Sequence, residues 1–146
     1  ILGIIDQPVI ADRWMGVAGR DTTLNGAPVR TRACPRMADA ILATTAPDIF
    51  SEDRLSGYRS VEVAAKYSVY GGDCFNYGML AAGRLDVVVE DGLKPFDFCA
   101  LVPVIEGAGG IVTDWAGERM NIASDGGILA AGDAALHAEA LALLGG

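Results

Sequence analysis

The sequence predicts an α/β fold, with an antiparallel sheet at its start followed by helices and strands layered around a largely parallel sheet. Three observations carry this. Residues 1–30 read as antiparallel strands around a tight turn, and residues 40–146 alternate short apolar runs with helix-length segments. With 146 residues, 51% hydrophobic and 21% charged, the chain has the apolar content of one compact unit or a piece of a larger one.

Strands are expected over Leu2–Ile10 and Asp12–Val17, then a turn at Asn25-Gly26 leading into Ala27-Pro28-Val29-Arg30. Asn-Gly is the strongest two-residue hairpin signal because both positions tolerate positive φ. Residues 31–39, with Pro35, Arg32 and Arg36, read as a linker, and residues 40–146 as a second, carboxy-terminal α/β domain. There the expected order is strand Ala40–Thr45, helix Glu52–Ala65, strand Tyr67–Tyr70, helix Asp73–Ala82 and strand Leu85–Glu90. A helix over Pro95–Glu106, strands at Ile111–Asp114 and Ile128–Ala131, and a helix over Ala134–Leu144 complete it. Gly109-Gly110 closes a helix, where glycine enters the left-handed region without strain. Gly71-Gly72 opens one, so it is either a plain turn or a place where backbone N–H groups receive an anion.

Composition narrows the function classes. Eleven Lys and Arg against 19 Asp and Glu give a net charge of −8, with no basic cluster to track a phosphate backbone, so a nucleic-acid partner is not expected. The strongly apolar run Phe98–Ile105 is eight residues long, against the roughly 18 needed to cross a bilayer, so no membrane role is expected. Cys34, Cys74 and Cys99 form no CxxC pair, which fits neither a disulfide framework nor a zinc site and suits a reducing cytoplasm. There is no GxSxG elbow and no phosphate-binding Gly-Lys-Ser/Thr loop, and Gly107-Ala108-Gly109-Gly110 follows a helix where a dinucleotide fingerprint follows a strand. The single histidine, His137, is expected on the exposed face of the last helix.

The chemistry that remains is acidic. Asp73, Glu90, Asp91 and Asp97 fall at junctions of strands and helices, the edge where an open α/β sheet places its ligands. Asp97, in Lys94-Pro95-Phe96-Asp97-Phe98, sits in the first turn of a helix opened by Pro95. It is either a carboxylate that stabilises the helix dipole or a ligand for a hard cation such as Mg²⁺, which is commonly held by one or two carboxylates with phosphate and water.

Leu85-Asp86-Val87-Val88-Val89-Glu90, then Pro95-Phe96-Asp97, then Glu106-Gly107-Ala108-Gly109-Gly110 resembles the carboxy-terminal signature of the inositol monophosphatase superfamily. The usual Trp-Asp is here Phe96-Asp97. Gly71-Gly72-Asp73-Cys74, Gly92-Leu93-Lys94-Pro95-Phe96-Asp97 and Pro103-Val104-Ile105-Glu106-Gly107 are most similar to its histidinol-phosphate phosphatase branch. The resemblance implies a layered sandwich and a Mg²⁺-dependent phosphomonoesterase in which Asp97 is a metal ligand. It also implies that Gly71, Gly72, Asp73, Glu90 and Asp97 line the substrate. The family's upstream Glu and Asp-Pro-x-Asp-Gly-Thr loop do not occur in the sequence, so no catalytic residue beyond the metal site is expected here.

The chain opens on Ile1-Leu2-Gly3-Ile4-Ile5 without an initiator Met, as if a strand were already under way. The expectation is therefore a piece of a longer enzyme, with residues 1–30 the remnant of a first, metal-binding domain, inactive alone. Its open sheet edges lead to an expected homo-oligomer. The carboxylates Asp73 and Glu90 suit a cationic leaving group, which makes histidinol phosphate the expected substrate and inositol monophosphate the second choice. A non-catalytic binding module is the alternative outside the enzymes.

Overall fold

The computed structural model describes residues 1–145. Four strands, β1 (Leu2–Gln7), β2 (Asp12–Val17), β3 (Thr23–Leu24) and β4 (Ala27–Pro28), form an antiparallel sheet in sequence order. Asn25 and Gly26 both take positive φ, 51° and 83°, and join Leu24 to its partner Ala27 in a two-residue turn, as the Asn-Gly pair dictates. β1 stops at Gln7, short of the expected Ile10, because residues 8–11 turn over. Pro8 has no N–H to offer the ladder, and Gln7 Oε1 takes the Val9 N–H instead.

Five further strands make the second sheet: β5 (Ile41–Thr44), β6 (Tyr67–Tyr70), β7 (Val87–Glu90), β8 (Ile111–Thr113) and β9 (Ile128–Ala131), in the order β6-β5-β7-β9-β8. Helices α1 (Glu52–Ala64) and α2 (Cys74–Ala81) lie between β5 and β6 and between β6 and β7. β5 runs parallel to both β6 and β7, but β9 is antiparallel to β7 and to β8. The sheet is thus mixed where a largely parallel one was expected. No helix separates β8 from β9, so the chain returns without the crossover that parallel pairing needs.

All four residues of β7 are buried, and the strand's period of two sends them to opposite faces. Val88 joins a core with Ile5 and Trp14 of the first sheet, Tyr77 and Leu80 of α2, and Leu101, Val104 and Ile105. Val87 and Val89 face Tyr58 and Val61 of α1 and Leu136 and Ala140 of α5 (Ala134–Leu144). The layers are therefore first sheet, helices, second sheet, helices. The first sheet is held tightly against the inner helices: a Cβ on Gly3 would stand 1.9 Å from Ala100 O, and one on Gly16 2.3 Å from Pro103 O. On its outer face Ile4 and Met15 pair in register and are exposed.

The expected single helix over Pro95–Glu106 is two, α3 (Pro95–Phe98) and α4 (Leu101–Gly107). Pro103 has no N–H to give the Cys99 carbonyl, and the ladder lapses there. Segment 31–39 carries a short 3₁₀ turn at Met37–Asp39 and is fastened to the second layer by Arg32, whose Nε and Nη2 each donate to Asp86 at 2.6 Å. Cys34 and Met37 are buried. No helix of the described residues is long and apolar enough to cross a membrane.

His137 is buried, not on an exposed face as expected. Its Nε2 lies 2.9 Å from Thr113 Oγ1, and that hydroxyl gives its own proton to the Asp114 carbonyl, so Nε2 is the donor. Helix α5 is apolar on nearly every side, so the sequence around residue 137 does not mark which side faces the sheet.

Candidate active site

The carboxyl ends of β5 and β7, the turn after β6, and the starts of α2 and α3 meet at one edge of the second sheet, where such folds bind ligands. They line an open cavity of about 400 Å³ whose wall includes Thr45, Asp73, Cys74, Tyr77, Glu90, Phe96 and Asp97, with Ile4 and Ile5 of β1 also on its lining. Asp73, Glu90 and Asp97, expected together from the sequence, are together. No Lys, Arg or His is among the wall residues, so the field in the cavity is negative.

Glu90 ends β7 and is almost wholly buried. The Thr45 N–H donates to its Oε1 at 3.1 Å, the Thr45 hydroxyl makes a short hydrogen bond to the same oxygen, and the Tyr77 hydroxyl donates to Oε2 at 2.8 Å. Burial nonetheless dominates and pushes the carboxyl above the ordinary Glu value, with Asp73 adding to the rise. A carboxylate has about four acceptor positions, so one on Oε2 is left for a ligand.

Asp73 precedes α2 in a strained conformation, φ 44°, ψ −132°, and its side chain caps none of the helix N–H groups. The carboxylate is instead exposed at the cavity. Gly71 and Gly72 stand outside the wall, immediately before Asp73. Both have positive φ, 82° and 97°. The Gly71 N–H donates to Thr45 O at 2.8 Å, and Asn76 Nδ2 donates to Gly71 O at 2.7 Å, which fixes the turn that presents Asp73. Burial and the nearby Asp73 push the Cys74 thiol up, so it is not a ready nucleophile.

Asp97 is exposed at the cavity. Its Oδ2 accepts the Lys94 N–H at 2.8 Å, which orients the carboxylate, and Oδ1 has no hydrogen-bond partner among the described residues. Such an oriented oxygen with a free partner atom fits a hard cation. Among the described residues no group of three or more His, Cys, Asp or Glu is gathered so as to hold a metal ion. Asp91 points elsewhere: it accepts from Ser51 and from Arg54 Nη1 at 2.6 Å, and its role is to anchor α1.

Two wall residues, Thr45 and Tyr77, were not anticipated. Tyr77 lies in the first turn of α2, three residues after Cys74, and its hydroxyl reaches Glu90 across the cavity wall. Thr45 directly follows β5 at the ligand edge.

The family model for the inositol monophosphatase family matches residues 1–145. The chain is 49% identical over 148 residues to the bifunctional phosphatase IMPL2, chloroplastic, of Arabidopsis thaliana, covering 97% of this chain and 43% of that protein. It is 27% identical over 134 residues to a histidinol-phosphatase of Chlorobaculum parvum, covering 91% of this chain and 51% of that one. Among solved structures, an inositol monophosphatase from Zymomonas mobilis superposes with a TM-score of 0.97 at 44% identity, covering 99% of this chain and 57% of its own. The chain thus spans about half the length of the relatives it matches.

Proposed function

The chain belongs to the inositol monophosphatase family, and from that premise we propose that the whole protein is a Mg²⁺-dependent phosphomonoesterase whose preferred substrate is histidinol phosphate, with inositol monophosphate the second choice. The observation that carries the reading is the cavity itself, where Asp73, Glu90 and Asp97 share one wall without a cationic residue. Such a wall repels a bare phosphate, so the phosphate needs metal to enter, and it attracts an ammonium group on the other side of the ester. When bound, Mg²⁺ would neutralise the phosphate and lower the pKa of a bound water.

The residues of this chain divide that work. Asp97, oriented by the Lys94 N–H, is the residue that would hold metal. Asp73 and Glu90 receive the leaving alcohol. A neutral polyol in their place leaves the Asp73 charge uncompensated, whereas an amino alcohol pairs with it through charge-assisted hydrogen bonds, roughly twice as strong as neutral ones. Similarity to a histidinol-phosphatase at 27% identity supports the first substrate, and similarity to an inositol monophosphatase at 44% supports the second.

The test is Asp73→Asn in the full-length protein. KM for histidinol phosphate should rise about tenfold or more, and KM for inositol monophosphate much less. An equal effect on both, or a wild-type preference for inositol monophosphate, overturns the substrate while leaving a phosphatase.

A further inference from the structure

Between the two carboxylates that receive the leaving group stands one hydroxyl. Thr45 Oγ1 makes a short hydrogen bond to Glu90 Oε1 and lies 3.3 Å from Asp73 Oδ1. A threonine hydroxyl has one proton and two lone pairs, so it donates to one of these oxygens at a time. The short contact with Glu90 takes the proton, and Thr45 then turns its lone pairs towards Asp73 and the cavity that it lines. Asp73 Oδ1 and Thr45 Oγ1 become two adjacent acceptors with no proton between them. A donor group from outside the chain can bridge both.

We infer that Thr45 is the specificity-determining residue that turns Asp73 and Glu90 into a single site for a primary ammonium group. The ammonium has three N–H donors. One reaches Asp73 Oδ1, one the Thr45 hydroxyl oxygen, and the third the remaining acceptor position of Glu90. A secondary alcohol of a polyol has a single donor and fills only one of the three. The backbone of Thr45 holds the frame: its N–H donates to Glu90 at 3.1 Å, and its carbonyl accepts from Gly71 at 2.8 Å. Replacing the side chain therefore alters the acceptor set without cutting the strand end loose. The inference rests on the amino-alcohol reading above and adds to it the group that sets the preference.

Thr45→Val is close in shape, keeps both backbone bonds and removes the hydroxyl, and Thr45→Ser restores it. In the full-length protein, kcat and KM for histidinol phosphate and for inositol 1-phosphate are measured for wild type, Thr45→Val, Thr45→Ser and Asp73→Asn. Thr45→Val should raise KM for the amino-alcohol ester about tenfold with a far smaller change for the polyol ester, and Thr45→Ser should restore it. If Thr45→Val shifts both substrates equally, or Thr45→Ser fails to rescue, Thr45 only supports the local structure and the inference falls. If Asp73→Asn erases the preference while Thr45→Val leaves it, the substrate reading stands and the role given to Thr45 is wrong. A wild type with no preference overturns both.

Discussion

The Tyr77 hydroxyl donates to Glu90 Oε2 at 2.8 Å, and both side chains are almost wholly buried, with 1% and 2% of their surfaces exposed. The bond stabilises the ionised carboxylate, which burial opposes. Because the folded state holds the Glu90 proton more tightly than the unfolded chain, stability falls as pH rises from the ordinary Glu value through the raised one. Tyr77→Phe removes a donor and raises the Glu90 carboxyl further. The expected loss is about 1–2 kcal/mol near pH 7 and smaller near pH 4–5, seen in melts across that range. A loss independent of pH would place the Tyr77 contribution in packing alone.

Arg32 grips Asp86 with two 2.6 Å bonds, and the Ile41 N–H adds a third at 2.7 Å. Burial raises the Asp86 carboxyl, but these donors outweigh it and hold it below the ordinary Asp value. Its stabilisation is present above that ordinary value and is lost as pH falls through the lowered one. Arg32→Ala strands the carboxylate and should cost about 2–3 kcal/mol, at the low end for a broken buried pair because Arg32 itself is 44% exposed. Chemical denaturation at neutral pH checks this.

Burial lowers the His137 pKa. The unfolded chain therefore takes up a proton at a higher pH than the fold does, and stability declines as pH drops below the ordinary His value. His137→Leu leaves the Thr113 hydroxyl bonded to Asp114 O and should flatten that part of the melting profile. An unchanged acid slope would show that other groups set it.

How much of this could be read beforehand depends on distance along the chain. Asn25-Gly26 and the apolar Val87-Val88-Val89 specify turn and strand by themselves, and the acidic residues at strand ends marked the ligand edge. The break before α4 was also written in Pro103, whose missing N–H interrupts the ladder at Cys99. Thr45 and Tyr77 carried no such mark. Their hydroxyls gain meaning only when β5, α2 and β7 bring them to Glu90, 45 and 13 residues away in sequence. The burial of His137 depends likewise on Thr113, 24 residues off, which local periodicity does not report.

Asp97→Asn keeps an oxygen to accept the Lys94 N–H, so the first turn of α3 should survive. As a neutral ligand it binds a hard cation poorly. In the full-length protein, turnover at limiting Mg²⁺ should drop on the order of 100-fold, with the melting profile unchanged. Near-normal turnover would remove Asp97 from the metal site.

The most direct measurement is phosphate release from histidinol phosphate and from inositol 1-phosphate by the full-length protein, with Mg²⁺ and after its removal by a chelator. Release from both is expected only with Mg²⁺ present, at a higher kcat/KM for histidinol phosphate. Absence of Mg²⁺-dependent release from either ester would contradict this expectation.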